Sequence, residues 1–172
     1  MRRTLFPSAI VLVGVVALVA IGAAGGAQAK KPALSATPVF KLHLKPSQEV
    51  PAIKGLKADA VGHVTFDLTR VAGTITAGEV VFYFNYSFPE SVSVTGLHIH
   101  EAAKGVNGPI RVSSGLSAVD PDGQGNVTGV VAGDPAILQK ILDNPRGYYV
   151  NLHTSVHTEG ALREQMHNPK KR

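Results

Sequence analysis

Residues 80–88 read Val-Val-Phe-Tyr-Phe-Asn-Tyr-Ser-Phe, and every second side chain from Val80 to Phe88 is large and apolar. Successive side chains of a β-strand point to opposite faces of the sheet, so this period of two predicts a strand with one buried face. No other segment of the chain alternates so strongly. We therefore expect this strand to lie at the centre of a sheet.

Weaker copies of the same alternation lie on both sides of this stretch. The segments predicted as strands are 40–44, 64–68, 92–100, 110–112, 126–131, 148–154 and 161–166. About eight short strands at near-regular spacing predict an all-β fold, an antiparallel, Greek-key-like β-sandwich or barrel.

One short helix is predicted late in the chain. Asp134 is a good N-cap and Pro135 suits the first helical position. Apolar residues then recur at helical spacing until Asn144 and Pro145 end the helix. We expect the helix to pack over one end of the sheets.

The amino terminus has the three parts of a secretory signal. Arg2 and Arg3 precede an apolar run over residues 9–24, and Ala27-Gln28-Ala29 follows as a cleavage site. A retained membrane anchor is the alternative, but several glycines interrupt the apolar run. The predicted organisation is a signal peptide at 1–29, a linker at 30–38, one domain at 39–167 and a basic tail at 168–172.

Charge argues against a nucleic-acid partner. The net charge of +5 resides largely in the two ends of the chain, because the predicted domain holds 10 basic and 12 acidic residues. A domain without a basic excess is not expected to bind nucleic acid. We expect contact with a membrane only through an uncleaved signal. The chain has no cysteine and hence no disulfide.

The most pointed local pattern is His98-Ile99-His100 on a predicted strand. Residues two apart on a strand share a face about 6 to 7 Å apart, so both imidazoles can reach one metal ion. His153 is a candidate third ligand, and His157 is another. Three imidazoles suit copper or zinc. The alternative is that these histidines only solvate a sheet surface or hydrogen-bond to a neighbouring strand.

Taken together, an ordered set of segments resembles the CHRD domain, a module first recognised in chordin and found alone in many secreted bacterial proteins. The resemblance covers nearly all of the predicted domain. Its segments are Ser47-Gln48-Glu49-Val50-Pro51, Gly96-Leu97-His98-Ile99-His100, Asn107-Gly108-Pro109-Ile110, Tyr149-Val150-Asn151-Leu152-His153-Thr154, and Gly160 with Arg163.

The resemblance implies an extracellular β-sandwich that binds a protein or an envelope polymer, and it supplies no catalytic mechanism. It also implies that the histidines of the two central segments meet in space. The other residues that match the family pattern are Glu49, Pro51, Asn151, Thr154 and Arg163. We expect a secreted or periplasmic binding or structural module that has no catalytic activity and needs no cofactor.

A second resemblance keeps a metal protein as the alternative function. Residues 96–101 are similar to the copper-ligand strand of copper–zinc superoxide dismutase, which is also a Greek-key sandwich. No histidine occurs between Glu101 and Leu152, so the bimetallic centre of that enzyme cannot be assembled. The alternative is therefore a copper or zinc protein with a reduced site of His98, His100 and His153.

The signal pattern predicts the processed amino terminus. The intact mass of the exported protein should correspond to a chain that begins at or near Lys30, because cleavage follows Ala27-Gln28-Ala29. Recovery of the full-length chain from the membrane fraction would show instead that the apolar run stays as an anchor.

Overall fold

The computed structural model of the chain describes residues 37–116 and 123–171, which fold mainly as β-strands. The nine strands are β1 (Pro38–Leu44), β2 (Asp59–Val71), β3 (Thr74–Ser87), β4 (Val94–Glu101), β5 (Ile110–Ser113), β6 (Gln124–Ala132), β7 (Tyr148–Thr154), β8 (Leu162–Gln165) and β9 (Lys170–Lys171). The helix α1 spans Pro135–Asp143, and short 3-10 turns occupy Pro46–Gln48 and Pro145–Gly147.

These strands form two antiparallel sheets, which confirms the predicted all-β sandwich. The order is β6-β3-β2-β1-β9 in the five-stranded sheet and β5-β4-β7-β8 in the four-stranded sheet. The chain changes sheet after β3, after β5, after β6 and after β8. At one edge the sheets are joined, because Lys45 and Arg163 exchange two backbone hydrogen bonds of 3.1 and 3.2 Å.

The strand predicted at the centre of a sheet is β3, which pairs with β2 on one side and β6 on the other. It is an interior strand, but β2 and not β3 occupies the middle of the five. Phe82 and Phe84 on its inner face are completely buried, whereas Tyr83 on the outer face is exposed. A two-residue loop connects β2 to β3. The two strands pair along their whole length, so both are longer than the alternating segments predicted at 64–68 and 80–88. The inner faces of both sheets contribute to one hydrophobic core.

Helix α1 forms where the sequence predicts it. The Asp134 carboxylate accepts hydrogen bonds from the backbone N–H groups of Ala136 and Ile137, which satisfies two otherwise free donors of the first turn. Leu138 and Ile141 are completely buried, so the helix closes one end of the core.

The boundaries of the predicted segments differ from the structure in places. The signal peptide at 1–29 and linker residues 30–36 lie outside the described residues. Pro38 belongs to β1, not to a linker, and the predicted tail contributes Lys170–Lys171, which pair with the start of β1. Among the described residues, no helix is long and apolar enough to cross a membrane.

The burial pattern of β3 predicts that truncation of two neighbouring aromatic side chains has very different effects on the free energy of unfolding. Phe84→Ala should lower the free energy of unfolding by about 3 to 5 kcal/mol, because it leaves a cavity in the closed core. Tyr83→Ala on the outer face of the same strand is the matched control and should cost no more than about 1 kcal/mol. Denaturant unfolding measures both values, and similar losses in the two variants would contradict the assigned faces.

Candidate metal-binding site

The site lies on the outer face of the four-stranded sheet, where β4 and β7 pair. Leu97, Ile99 and Leu152 point into the core and are completely buried. Since side chains alternate along a strand, the residues between them must point to the other face. The register places His98 opposite Asn151, His100 opposite Tyr149, and Gly96 opposite His153.

This register brings His98, His100 and His153 together. One ring nitrogen from each histidine lies within 4.8 Å of a ring nitrogen of the other two. The ring centroids are 4.8 Å apart for His98 and His153, and 5.7 Å apart for each of the other two pairs. The expectation that the two central segments meet in space is therefore confirmed, whereas the occupancy of the site by a metal stays a prediction.

Backbone carbonyls fix the tautomers of two of these rings. His100 Nδ1 lies 2.9 Å from the carbonyl oxygen of Gly108, and His153 Nδ1 lies 2.9 Å from that of Thr158. A carbonyl oxygen only accepts, so in each ring Nδ1 carries a hydrogen, and in the neutral ring Nε2 then keeps its lone pair. Both Nε2 atoms are buried and have no hydrogen-bond partner among the described residues.

His98 completes the cluster from a half-buried position. Its Nδ1 is also buried and unpartnered within the described part of the chain. Burial, reinforced by His153 and His100, lowers the pKa of His98 from 6.5 to about 4. Burial likewise lowers the pKa of His100, although the bond to Gly108 opposes the shift. Both rings are held in the neutral form, which is the form that ligates metal ions.

Gly96 makes room for the His98 ring. A Cβ atom at position 96 would lie 2.8 Å from Cε1 and 3.0 Å from Nε2 of His98, which is closer than van der Waals contact allows. The ring therefore lies over the backbone of its own strand. Any side chain at position 96 would force the His98 ring to shift from this position.

The three rings line a solvent-accessible cleft of about 430 Å³. Thr95, Asn107, Ile110 and Glu159 are among the other residues that line it. The Glu159 carboxylate is the one acidic group in this lining, and it adjoins the Thr158 carbonyl that holds His153. The cleft is much larger than an ion, so a ligand or water has access to the histidines from outside.

Residues that match the family pattern form a second cluster beside the histidines. Arg163 is almost completely buried, and its guanidinium carbon lies 3.4 Å from the centroid of the Tyr149 ring. The His100 ring stacks on the same Tyr149 at 4.8 Å, with an interplanar angle of 10°. His100 and Arg163 thus pack against Tyr149 from the two strands that flank β7.

Glu49 is buried beside this cluster, with 7% of its surface exposed. Burial raises the pKa of its carboxyl to about 7, and this effect outweighs the opposing influence of Arg163 and of a hydrogen bond from Asn151. Asn151 on β7 is buried too, and it pairs with Arg163 on the neighbouring strand β8. Glu49, Asn151 and Arg163 therefore meet, although they are far apart in sequence.

The two remaining motif residues hold loops. The backbone N–H of His157 donates to the Thr154 hydroxyl at 3.0 Å, which closes the turn that carries Thr158. Pro51 is exposed and follows Val50, whose carbonyl oxygen accepts from the Asn107 side chain at 2.7 Å. The candidate ligand His157 does not belong to the cluster of three rings.

Sequence reasoning missed Tyr149, Asn107 and Gly108 as site residues. The alternation of β7 placed Tyr149 on the same face as His153, and this shared face could have indicated that Tyr149 belongs to the site. The Asn107-Gly108-Pro109 segment contributed only to the family resemblance, because nothing local to it indicates which side chains its carbonyl groups face.

The fold and the site define a two-sheet β-sandwich that carries a cluster of histidines on one outer sheet face. A family model described as the CHRD domain matches residues 40–166, which is most of the chain. The chain therefore belongs to the CHRD family, an extracellular type of module. No curated protein and no solved structure matches it.

The low pKa of His98 predicts how stability depends on pH. Between about 4 and 6.5 the unfolded chain protonates this histidine and the folded chain does not, so acid favours unfolding. Glu49 acts in the opposite direction, so the contribution of His98 must be isolated as a difference from His98→Gln. In chelator-treated protein, wild type should lose stability relative to His98→Gln as pH falls from about 6.5 to about 4.

Denaturant unfolding at several pH values measures this difference. His167→Gln is the control, because it removes an exposed imidazole far along the chain from the cluster. A stability difference between wild type and His98→Gln that stays constant over this pH range would contradict a buried, neutral His98.

Proposed function

We propose that this chain is an exported CHRD module that binds one copper or zinc ion through His98, His100 and His153, as a binding protein and not as an enzyme. The observation that carries the proposal is the set of three buried ring nitrogens that have no hydrogen-bond partner among the described residues. Burial of a polar atom without a partner is unfavourable, and a metal ion would provide that partner.

The contacts of the rings support this proposal. In metal sites, a ligating histidine generally donates its other N–H to a carbonyl or carboxylate, which fixes the tautomer and the ring orientation. His100 and His153 both show this arrangement. A purely structural histidine cluster would be expected to satisfy both nitrogens of each ring.

Distances in the cluster suit an ion after a small adjustment. Nitrogen ligands bind zinc at about 2.0 to 2.1 Å, which places two ligands about 3.4 Å from each other. The ring nitrogens here lie within 4.8 Å of one another, so small rotations of the imidazole side chains would be needed to bring them to ligating distance. The donor set is all nitrogen, which suits copper or zinc better than calcium or magnesium.

Three imidazoles leave at least one coordination position for another ligand. That position would be filled from the cleft, by water or by the Glu159 carboxylate that lines it. The proposal includes no dismutase-type bimetallic centre, because no histidine occurs between Glu101 and Leu152 to provide the second metal site. A partner protein or envelope polymer, which the family resemblance implies, stays a separate prediction.

Metal titration tests the proposed function directly. The purified exported protein, stripped with a chelator, should bind one Cu(II) or Zn(II) per chain, and a His98→Ala, His100→Ala double variant should lose this binding. Neutral imidazoles are the ligands, so removal of two of three takes away most of the coordination. Isothermal titration calorimetry and elemental analysis after dialysis measure stoichiometry and affinity.

A double variant at two other histidines controls for nonspecific binding. His43→Ala with His167→Ala removes the same number of imidazoles from exposed positions outside the cluster. It should bind metal as the wild type does. Weak binding that is equal in wild type and both double variants would eliminate the metal function and leave the cluster as part of the scaffold.

A further inference from the structure

We infer that Arg163 is a positioning residue for the metal-binding site, which acts through Tyr149 and residues 106–108 to fix the tautomer and orientation of His100. This inference rests on the proposed metal-binding function and deepens it. It joins the two clusters on the sheet face, the histidines and the residues of the family pattern, into one unit.

The first step of the connection runs from Arg163 to the loop between β4 and β5. Its guanidinium donates to the Asn107 side-chain oxygen at 2.9 Å and to the Val106 backbone oxygen at 2.7 Å. Asn107 is further held because its side-chain amide donates to the Val50 carbonyl oxygen at 2.7 Å. Arg163 thereby tethers an exposed loop to the outer face of the four-stranded sheet.

The second step runs from this loop to the ligand. The backbone N–H of Gly108 donates to the Tyr149 hydroxyl at 3.2 Å, and the Gly108 carbonyl oxygen accepts from His100 Nδ1 at 2.9 Å. The contacts with Arg163 and Tyr149 therefore both support the loop position from which the Gly108 carbonyl faces His100. Stacking of the His100 ring on Tyr149 fixes the plane of the ring at the same time.

The chemistry of arginine suits this role better than that of lysine. A planar guanidinium donates to two acceptors while one of its faces packs on an aromatic ring, whereas an ammonium group offers only a point charge. Arg163 uses both properties, with its two donated bonds and its 3.4 Å contact to Tyr149. A lysine would also place a positive charge near Glu49, but charge alone does not account for the two donated hydrogen bonds and the contact with the Tyr149 ring.

Three variants remove separate parts of the connection. Asn107→Ala removes an exposed side chain and one acceptor of Arg163; Tyr149→Phe keeps the ring and removes the hydroxyl; and Arg163→Lys keeps the charge beside Glu49. Tyr83→Phe is the matched control, because it removes a hydroxyl that bonds to Asn85 on the outer face of the other sheet. Circular dichroism and thermal unfolding confirm that each variant is folded.

The first measurement uses the metal-free protein. The ¹⁵N shifts of the imidazole nitrogens report which nitrogen is protonated, and wild-type His100 should be the Nδ1–H tautomer. In the three variants His100 should become a mixture of tautomers. His153, which is held by Thr158 and not by this loop, should keep its tautomer in all of them and in Tyr83→Phe.

The second measurement is Cu(II) and Zn(II) affinity. Loss of such supporting contacts in metal sites weakens binding by about 10-fold to 100-fold, and we expect a change of this size in the three variants with Tyr83→Phe unchanged. The Cu(II) electron paramagnetic resonance spectrum should change with it, because the His100 orientation changes.

These two measurements separate the inference from the proposed function. If wild type binds no metal, the proposed function fails, and the tautomer measurement still decides whether the Arg163 contacts position His100. A wild-type His100 tautomer in Asn107→Ala, Tyr149→Phe and Arg163→Lys alike would overturn the inference. Equal changes in His100 and His153 would overturn it too, since they would indicate a general loosening of the sheet.

Discussion

The pairing register of β4 and β7 is the constraint on which the site depends. Leu97 and Ile99 on one strand and Leu152 on the other fill the core between the sheets, and their burial fixes which residues face outward. A shift of β4 by one residue would turn His98 and His100 into the core and Leu97 and Ile99 to the outer face. Hydrophobic burial in the core thus sets the geometry of a polar site on the opposite face.

That opposite face differs from the usual outer face of a sandwich, because loops cover it. All seven residues of β7 are buried, although only alternate ones face the core. Burial of Glu49 and His98 disfavours their charged forms, which is why the pKa of Glu49 rises to about 7 and that of His98 falls to about 4. The opposite signs follow from one cause, the loss of water around both groups.

The sequence alone predicted the fold class, the buried face of β3, the helix and its cap, because each depends on local periodicity or on a local hydrogen bond. The period of two also predicted that His98 and His100 share a face, and the family resemblance implied that His153 meets them. The carbonyl groups of Gly108 and Thr158 could not be predicted, since any residue has a carbonyl and only the loop conformation aims it. The stacking of Arg163 on Tyr149 depends on the β7–β8 register, which leaves no local pattern.

Strands and loops therefore contribute different properties to the site. The strands determine that three imidazoles are near each other, and this proximity persists as long as the core is intact. The loops determine which nitrogen of His100 and His153 carries the hydrogen, since they hold the carbonyl acceptors. Loop contacts are weaker and closer to solvent than core contacts, so they open at lower free energy. A loosened loop would leave the fold and the three imidazoles in place and still remove the preference for the tautomer in which Nε2 of His100 has a free lone pair.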